Sequence, residues 1–173
     1  MFIKINNVEQ EDELKVIYSQ IKEQFGEVPP NFELIGSIDV NILKDFLSYS
    51  SKLSSFENIN HDYFAFLRLF IASQENFKYC LKFNSKLLQS RGYEDVVIDS
   101  SKIDLVELPF CEKHKVLAIK SIKAIFDSEN FNQSDFNELY KIGWKDKEIF
   151  YSIEHVGFML RNGRILRAYS VKL

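Results

Sequence analysis

The sequence is poor in residues that interrupt regular structure and in residues that cross-link small domains. Its 173 residues include only 6 Gly and 3 Pro, which argues against disorder and against a β architecture with many turns. The 2 cysteines, Cys80 and Cys111, lie 31 positions apart and match neither the paired ligands of a zinc site nor a disulfide framework. A chain of this length buries enough surface to fold without such links. We therefore expect one compact, mainly helical domain in a reducing compartment.

The sequence also lacks an excess of either charge and any long hydrophobic run. Lys and Arg total 22 against 25 Asp and Glu, so there is no basic excess to bind phosphate backbones, and we predict no nucleic-acid partner. The opening segment MFIKINNVEQEDELK turns acidic before any hydrophobic segment develops, so we expect neither a secretory signal nor an organellar presequence. The densest apolar run, from Phe64 to Ala72, is interrupted by Arg68 and is less than half of a membrane span. It leaves little polar face, so we predict a helix that is buried nearly all round. We predict a soluble, cytoplasmic protein with no membrane partner.

Apolar residues recur at helical spacing along most of the chain. A first helix, ended by Gly26, is predicted from a single stripe of Leu14, Ile17, Tyr18, Ile21 and Phe25. Further helices are predicted near residue 31 and over about 42–53, 61–74, 80–88, 116–125, 134–140 and 145–169, with a connecting loop over 92–109. Ser134 is the predicted N-cap of the short seventh segment, and Gly143 is its predicted left-handed C-cap. The predicted fold class is all-α, with about seven helices in a single domain.

The segment ENFKYCLKFN, residues 75–84, is the candidate site of thiol chemistry. A thiol in the first turn of a helix is acidified by the unpaired amides and the helix dipole. Dithiol chemistry also needs a second cysteine one turn away and a base to take up the proton. Phe77 and Asn84 occupy those positions and can supply neither. We interpret Cys80 as a packed, unreactive thiol. The alternative is that Cys80 acts as a single nucleophilic thiol, resolved by Cys111 or by an external thiol.

This segment resembles the signature of the alkyl hydroperoxide reductase D-like (AhpD-like) and carboxymuconolactone decarboxylase superfamily. Redox members of that superfamily carry Cys-x-x-Cys-x-x-x-His. Here Tyr79-Cys80 matches the second half of the dithiol, while Phe77 and Asn84 replace its first cysteine and its histidine. The register of the family's catalytic glutamate falls on Ala65. By this resemblance, three of the four relay positions have been lost.

Two further segments carry the same resemblance. FGEVPPNFELIGS, residues 25–37, is similar to the family's entry segment, and residues 136–165 are similar to its closing helices. We therefore predict an N-terminal helical extension over 1–24 and an AhpD-like domain over 25–173, together forming one compact domain. The resemblance implies an orthogonal bundle of helices that assembles into homo-oligomers. It also implies that redox relatives reduce peroxides with the dithiol, whereas decarboxylase relatives act on a lactone acid without it.

Because the relay residues are replaced, the activity is not carried over with the fold. We interpret the chain as an AhpD-like protein that has diverged from peroxide-reducing relatives and lacks the dithiol relay. One alternative is a peroxidase-related oxidoreductase of alkyl hydroperoxide reductase or peroxiredoxin type, with antioxidant activity and Cys80 as its catalytic residue. The other is a small-molecule-binding or lactone decarboxylase-like protein. A small apolar molecule or a peroxide is the candidate ligand, and we expect no cofactor and no metal. Whether the chain is an enzyme stays open.

Other chemically active side chains have simpler explanations. Glu75 is a candidate base but also fits a solvated turn. No carboxylate or second imidazole stands at a metal-ligand interval from the three histidines, His61, His114 and His155. Three arginines on the last helix are candidates to hold an anionic ligand or a neighbouring subunit, although the helix dipole also favours cations there: Arg161, Arg164 and Arg167. Aromatic residues around Cys80 are candidates to line an apolar pocket, although core filling explains them first: Phe64, Phe66, Phe70, Phe77, Tyr79 and Phe83.

Overall fold

The structure is a computed structural model that describes residues 11–99 and 103–171. Its helices are α1 (Glu11–Phe25), α2 (Pro30–Ile38), α3 (Val40–Ser54), α4 (Tyr63–Gln74), α5 (Lys78–Ser90), α6 (Glu112–Phe126), α7 (Gln133–Lys141) and α8 (Asp146–Ala168), with a 3-10 turn at Ser128–Asn130. Every regular element in these residues is helical, which confirms the all-α prediction with eight α-helices where about seven were expected. None of the described helices has the length and apolarity needed to cross a membrane.

Contacts group the described chain into two compact units, 11–54 with 165–171 and 55–164. Residues 1–10 of the predicted N-terminal extension lie outside the described residues, and the division between residues 24 and 25 stays a prediction. In the first unit α1, α2 and α3 share a core centred on Ile21, Phe32 and Leu43. The other residues of the predicted α1 stripe pack against this core: Leu14, Ile17, Tyr18 and Phe25.

Helix α4 is almost completely buried within the second unit. From Tyr63 to Ala72 only Arg68 and Phe70 are partly exposed, as its apolar sequence predicted. The hydroxyls of Tyr63 and Ser152 lie 2.7 Å apart. Ser152 in turn lies 2.6 Å from the hydroxyl of Ser121. All three side chains are buried, and buried hydroxyls require hydrogen-bond partners, which these three supply to one another. The resulting row of hydrogen bonds links α4, α6 and α8.

The segment that connects α5 to α6 was predicted as a loop. In its described parts, 92–99 and 103–109, it contains turns and no helix or strand. It nevertheless covers the core, because Ile98, Leu105 and Leu108 are buried. Near its start it is tied to the residue that precedes α4, since the Tyr93 hydroxyl donates to Asp62 Oδ2 at 3.0 Å.

The start of α7 differs from the prediction. Ser134 is not the N-cap; Asn132 is, and its side chain accepts from the Ser134 amide at 2.9 Å. Asp135 completes a capping box by accepting from the Asn132 amide at 3.0 Å. Both Asn and Ser are good N-cap residues, but only Asn132 has an acid three positions later. The predicted left-handed C-cap is confirmed, with a φ of 90° at Gly143.

Candidate functional site

The turn between α4 and α5 places the cysteine segment. Helix α4 ends at Gln74, Asn76 adopts a left-handed φ of 52°, and α5 begins at Lys78. The Phe77 amide donates to the Ala72 carbonyl at 2.9 Å, which fixes the turn to the end of α4. Phe77 is therefore the N-cap of α5, and Cys80 lies in its first turn, as predicted.

Cys80 is held away from solvent. Only 7% of the residue is exposed, and burial raises the pKa of its thiol to about 11, although the positive charge of Arg68 acts in the opposite direction. At pH 7 a thiol with this pKa is ionised in about one molecule in ten thousand. The helix start thus does not activate this thiol, because desolvation outweighs both the dipole and the nearby cation.

Asn84 bonds to neighbouring groups in two directions. Its Nδ2 donates to the Cys80 carbonyl at 2.8 Å, and its Oδ1 accepts from Arg68 Nε at 2.8 Å. The residue is 2% exposed. Its amide therefore satisfies a buried backbone carbonyl and orients a guanidinium, a structural role that a buried amide fills well.

Arg68 also approaches His155 on α8, with its Nη1 3.5 Å from His155 Nε2. His155 is fully buried, and that burial, together with the positive charge of Arg68, holds its pKa well below the usual value. The imidazole is therefore neutral at pH 7. Its ring packs edge-on against Phe64, with centroids 5.0 Å apart. Arg68, Asn84 and His155 form what we call the Arg68 cluster, a polar group buried beside Cys80.

The other two positions that were compared with the family's relay are apolar and buried. Ala65 is 1% exposed, and Phe77 is 4% exposed. The ring of Phe77 packs against α8 at Gly163, where an added Cβ would lie only 2.6 Å from Phe77 Cζ. Phe77 therefore fills space that α8 leaves open by carrying a glycine at this point.

The remaining candidates are dispersed among separate partners. Glu75 Oε2 lies 3.8 Å from Arg164 Nη2. Arg161 lies over the Phe158 ring, 5.0 Å from its centroid, while Arg167 lies in the last turn of α8. His61 Nε2 is 3.2 Å from the Asp62 carboxylate. No cluster of three metal-ligating side chains occurs in the part of the chain that the structure describes.

The second cysteine has a partner of its own. Cys111 is exposed at the start of α6, and its Sγ lies 3.1 Å from His114 Nδ1. Both Cys80 and Cys111 are free thiols. The sequence did not lead us to pair Cys111 with His114, although a Cys-x-x-His spacing at a helix start was the available signal.

An apolar groove lies along α7 and α8. Its volume is about 380 Å³, and it is lined by Phe136, Asp146, Ile149, Phe150, Ile153 and Glu154. Phe150 is 64% exposed, which is unusual for a phenylalanine. None of the aromatic residues near Cys80 that were candidates to line a pocket lines this groove.

Comparison with solved structures identifies the fold. No protein-family model matches the sequence, and no curated protein matches it. The structure is similar to an uncharacterized peroxidase-related protein from Silicibacter sp. TM1040, with a TM-score of 0.80 and 17% identity, covering 93% of this chain and 84% of that chain. It is also similar to an alkylhydroperoxidase AhpD core, an uncharacterized peroxidase-related protein from Ralstonia eutropha JMP134, with a TM-score of 0.77 and 15% identity, covering 93% and 85% of the two chains. The chain therefore has the AhpD-like fold that its sequence predicted.

Proposed function

We propose that this chain is a protein of AhpD-like fold whose α5 site is non-redox, because that site has become part of the core and no longer reduces peroxides. The observation that carries the proposal is the burial of Cys80, which raises the thiol pKa to about 11. A peroxide-reducing cysteine acts as a thiolate and must be reached by its substrate. Cys80 meets neither requirement.

The neighbours of Cys80 support the same proposal, because each has a structural task. Phe77 fills space against Gly163, and Ala65 is a small buried methyl. Asn84 satisfies the Cys80 carbonyl and holds Arg68. None of these side chains supplies a second thiol or a proton acceptor next to Cys80.

The second candidate function is a single-thiol oxidoreductase that uses Cys80. One observation favours it, namely that the positive charge of Arg68 lowers the thiol pKa. Desolvation is the larger effect, so we prefer the non-redox proposal.

The two candidates differ in an assay of peroxide consumption with dithiothreitol as reductant. The assay uses the Cys111→Ser background, so that the exposed thiol contributes nothing. We expect the same low rate with and without a second change, Cys80→Ala. Turnover that is present with Cys80 and lost in Cys80→Ala would falsify the non-redox proposal and support the single-thiol enzyme.

We also propose that the chain forms a homo-oligomer through the α7–α8 groove. The groove is apolar, and the Phe150 side chain that lines it is exposed to solvent. Helix α8 carries Glu154 and, seven residues later on the same face, Arg161. A second copy packed antiparallel across a twofold axis brings these opposite charges together and covers Phe150.

Light scattering after size-exclusion chromatography tests this assembly. Phe150→Asp is expected to give the monomer mass, whereas the matched control Val96→Asp, at a 75% exposed loop position outside the groove, is expected to leave the oligomer intact. A wild-type protein that elutes as a monomer contradicts the proposal. Cytoplasmic localisation and the lack of a nucleic-acid partner stay predictions.

A further inference from the structure

Cys111 and His114 form a sulfur–imidazole pair at the start of α6. Cys111 is the N-cap residue, His114 lies in the first turn, and Sγ is 3.1 Å from Nδ1. The cysteine is exposed, in contrast to Cys80. A nucleophilic side chain within hydrogen-bond reach of an imidazole is the arrangement on which cysteine reactivity depends in proteins.

Helix capping does not explain why a cysteine stands here. N-cap positions favour Ser, Thr, Asp and Asn, whose oxygens accept from the first free amides. The Cys111 side chain makes no such bond, although its backbone is extended as at other N-caps, with φ −66° and ψ 158°. At the start of α7, by comparison, Asn132 makes the usual capping bond. The sulfur of Cys111 contacts the imidazole instead.

The imidazole is itself held in one orientation. Its Nε2 accepts from the Asn60 amide at 3.1 Å, so the hydrogen of the neutral ring lies on Nδ1 and can be donated to Sγ. Burial lowers the His114 pKa and the charge of Lys113 adds to the shift, so the ring is neutral and has a single N–H hydrogen to donate. The ring also packs edge-on against Trp144, with centroids 5.2 Å apart. The N–H of a positioned imidazole therefore faces an exposed sulfur at a helix N-terminus, and a hydrogen bond from that N–H and the free amides of the helix start both favour the ionised sulfur.

We propose that Cys111, positioned by His114, is a peroxide-reactive thiol and an oxidative modification site separate from Cys80. The ionised sulfur attacks one oxygen of hydrogen peroxide. The S–O bond forms, the O–O bond breaks, and the second oxygen leaves as hydroxide, which takes up the proton that the thiol had lost to solvent. The sulfur is oxidised to a sulfenic acid and the peroxide is reduced to water. A low-molecular-weight thiol then condenses with the sulfenic acid, giving a mixed disulfide and water.

The test is the rate of sulfenic acid formation in the full chain at pH 7, with hydrogen peroxide as oxidant, dimedone as trap and mass spectrometry of peptides as readout. We expect label at Cys111 in the wild type and in Cys80→Ala, and none at that position in Cys111→Ser. The wild-type rate should exceed that of an unfolded peptide of residues 108–117 by about tenfold, the size expected from one hydrogen bond to a charged sulfur.

A pair of variants at position 114 separates chemistry from packing. Gln can donate a hydrogen bond to sulfur and Leu cannot. We expect His114→Leu to lower the rate to that of the peptide and His114→Gln to restore part of it, while thermal unfolding checks that both variants fold. Equal rates in the two variants, or a wild-type rate no faster than that of the peptide, overturn the proposal. Neither result bears on Cys80, so this proposal and the proposed function fail independently.

Discussion

The contact between Phe77 and Gly163 shows how tightly the start of α5 packs against α8. The aromatic ring needs space that only a glycine on α8 leaves open, since a Cβ at position 163 would lie 2.6 Å from Phe77 Cζ. Gly157, two turns earlier, has no such constraint, because the nearest side-chain atom, Ile125 Cδ1, would lie 3.9 Å from an added Cβ. The two glycines therefore allow a matched comparison of an alanine substitution on the same helix, one where space is filled and one where it is open.

Gly163→Ala should destabilise the protein by about 1–3 kcal/mol, the usual cost of overpacking a filled core. Gly157→Ala should be neutral or stabilising by up to about 1 kcal/mol, because alanine favours the helix. The free energy of unfolding in urea measures both. The loss at position 163 should shrink when Phe77 is also changed to Leu, since the two residues share one space. Equal effects of the two alanines contradict this account of the contact.

At the scale of elements, Asp135 connects α6 to α7. Its carboxylate caps α7 through the Asn132 amide at 3.0 Å, and it accepts from Lys120 at 2.7 Å and Lys123 at 2.8 Å. The side chain is only 3% exposed. These bonds, led by that of Lys120, hold the pKa of the Asp135 carboxyl well below its usual range. The ionised carboxylate therefore stabilises the folded state at pH values above the pKa that the group has in the unfolded chain.

Asp135→Asn should lower the free energy of unfolding at pH 7 by about 2 kcal/mol, because it removes the charge from a buried pair and weakens the capping box. The control Glu138→Gln, which removes a half-exposed partner of the same Lys120, should cost less than about 1 kcal/mol. The Asp135 contribution is present above the unfolded pKa of about 4 and is lost as pH falls below it. Urea unfolding at pH 7 and pH 3 checks both, and a difference that persists unchanged at pH 3 contradicts the assignment.

The positions of the helices could be predicted from the sequence. Both signals used, the spacing of apolar residues and the glycines that end helices, depend only on neighbouring residues. The predicted stripe of α1 and the left-handed turn at Gly143 both appear in the structure. The start of α7 was placed at the wrong residue because Ser134 and Asn132 have similar capping preferences. The deciding signal was Asp135, three residues after Asn132, which completes the capping box.

At the scale of the whole molecule, the sequence predicted the part of the candidate site that lies in one segment and did not predict the contacts between distant helices. Cys80, Phe77 and Asn84 belong to one short segment, so their spacing alone allowed the comparison with a dithiol signature. Arg68 and His155 are 87 positions apart, and their approach depends on how α4 and α8 pack. Nothing in the local sequence of either residue specifies that contact. Periodicity identified α4 as buried but did not show where its single arginine points.

His155 makes global stability depend on pH. Its folded pKa lies well below the usual 6.5, so the unfolded chain binds a proton that the native protein does not. Stability does not depend on this group above about pH 6.5, where the ring is neutral in both states, and it falls as the pH decreases below that value. The variant His155→Gln should show a smaller loss between pH 7 and pH 5, which urea unfolding at the two pH values measures. Identical losses in variant and wild type contradict this origin.

The central claim is that the α5 thiol is part of the core, and its alkylation rate tests that claim most directly. In Cys111→Ser at pH 7, Cys80 is the only thiol of the chain. Its reaction with iodoacetamide is followed by mass spectrometry in native buffer and in urea. We predict that native Cys80 stays unmodified over the time in which the urea-unfolded protein reacts completely, because the folded thiol is buried and has a pKa of about 11. Native alkylation as fast as that of the unfolded chain would contradict the account.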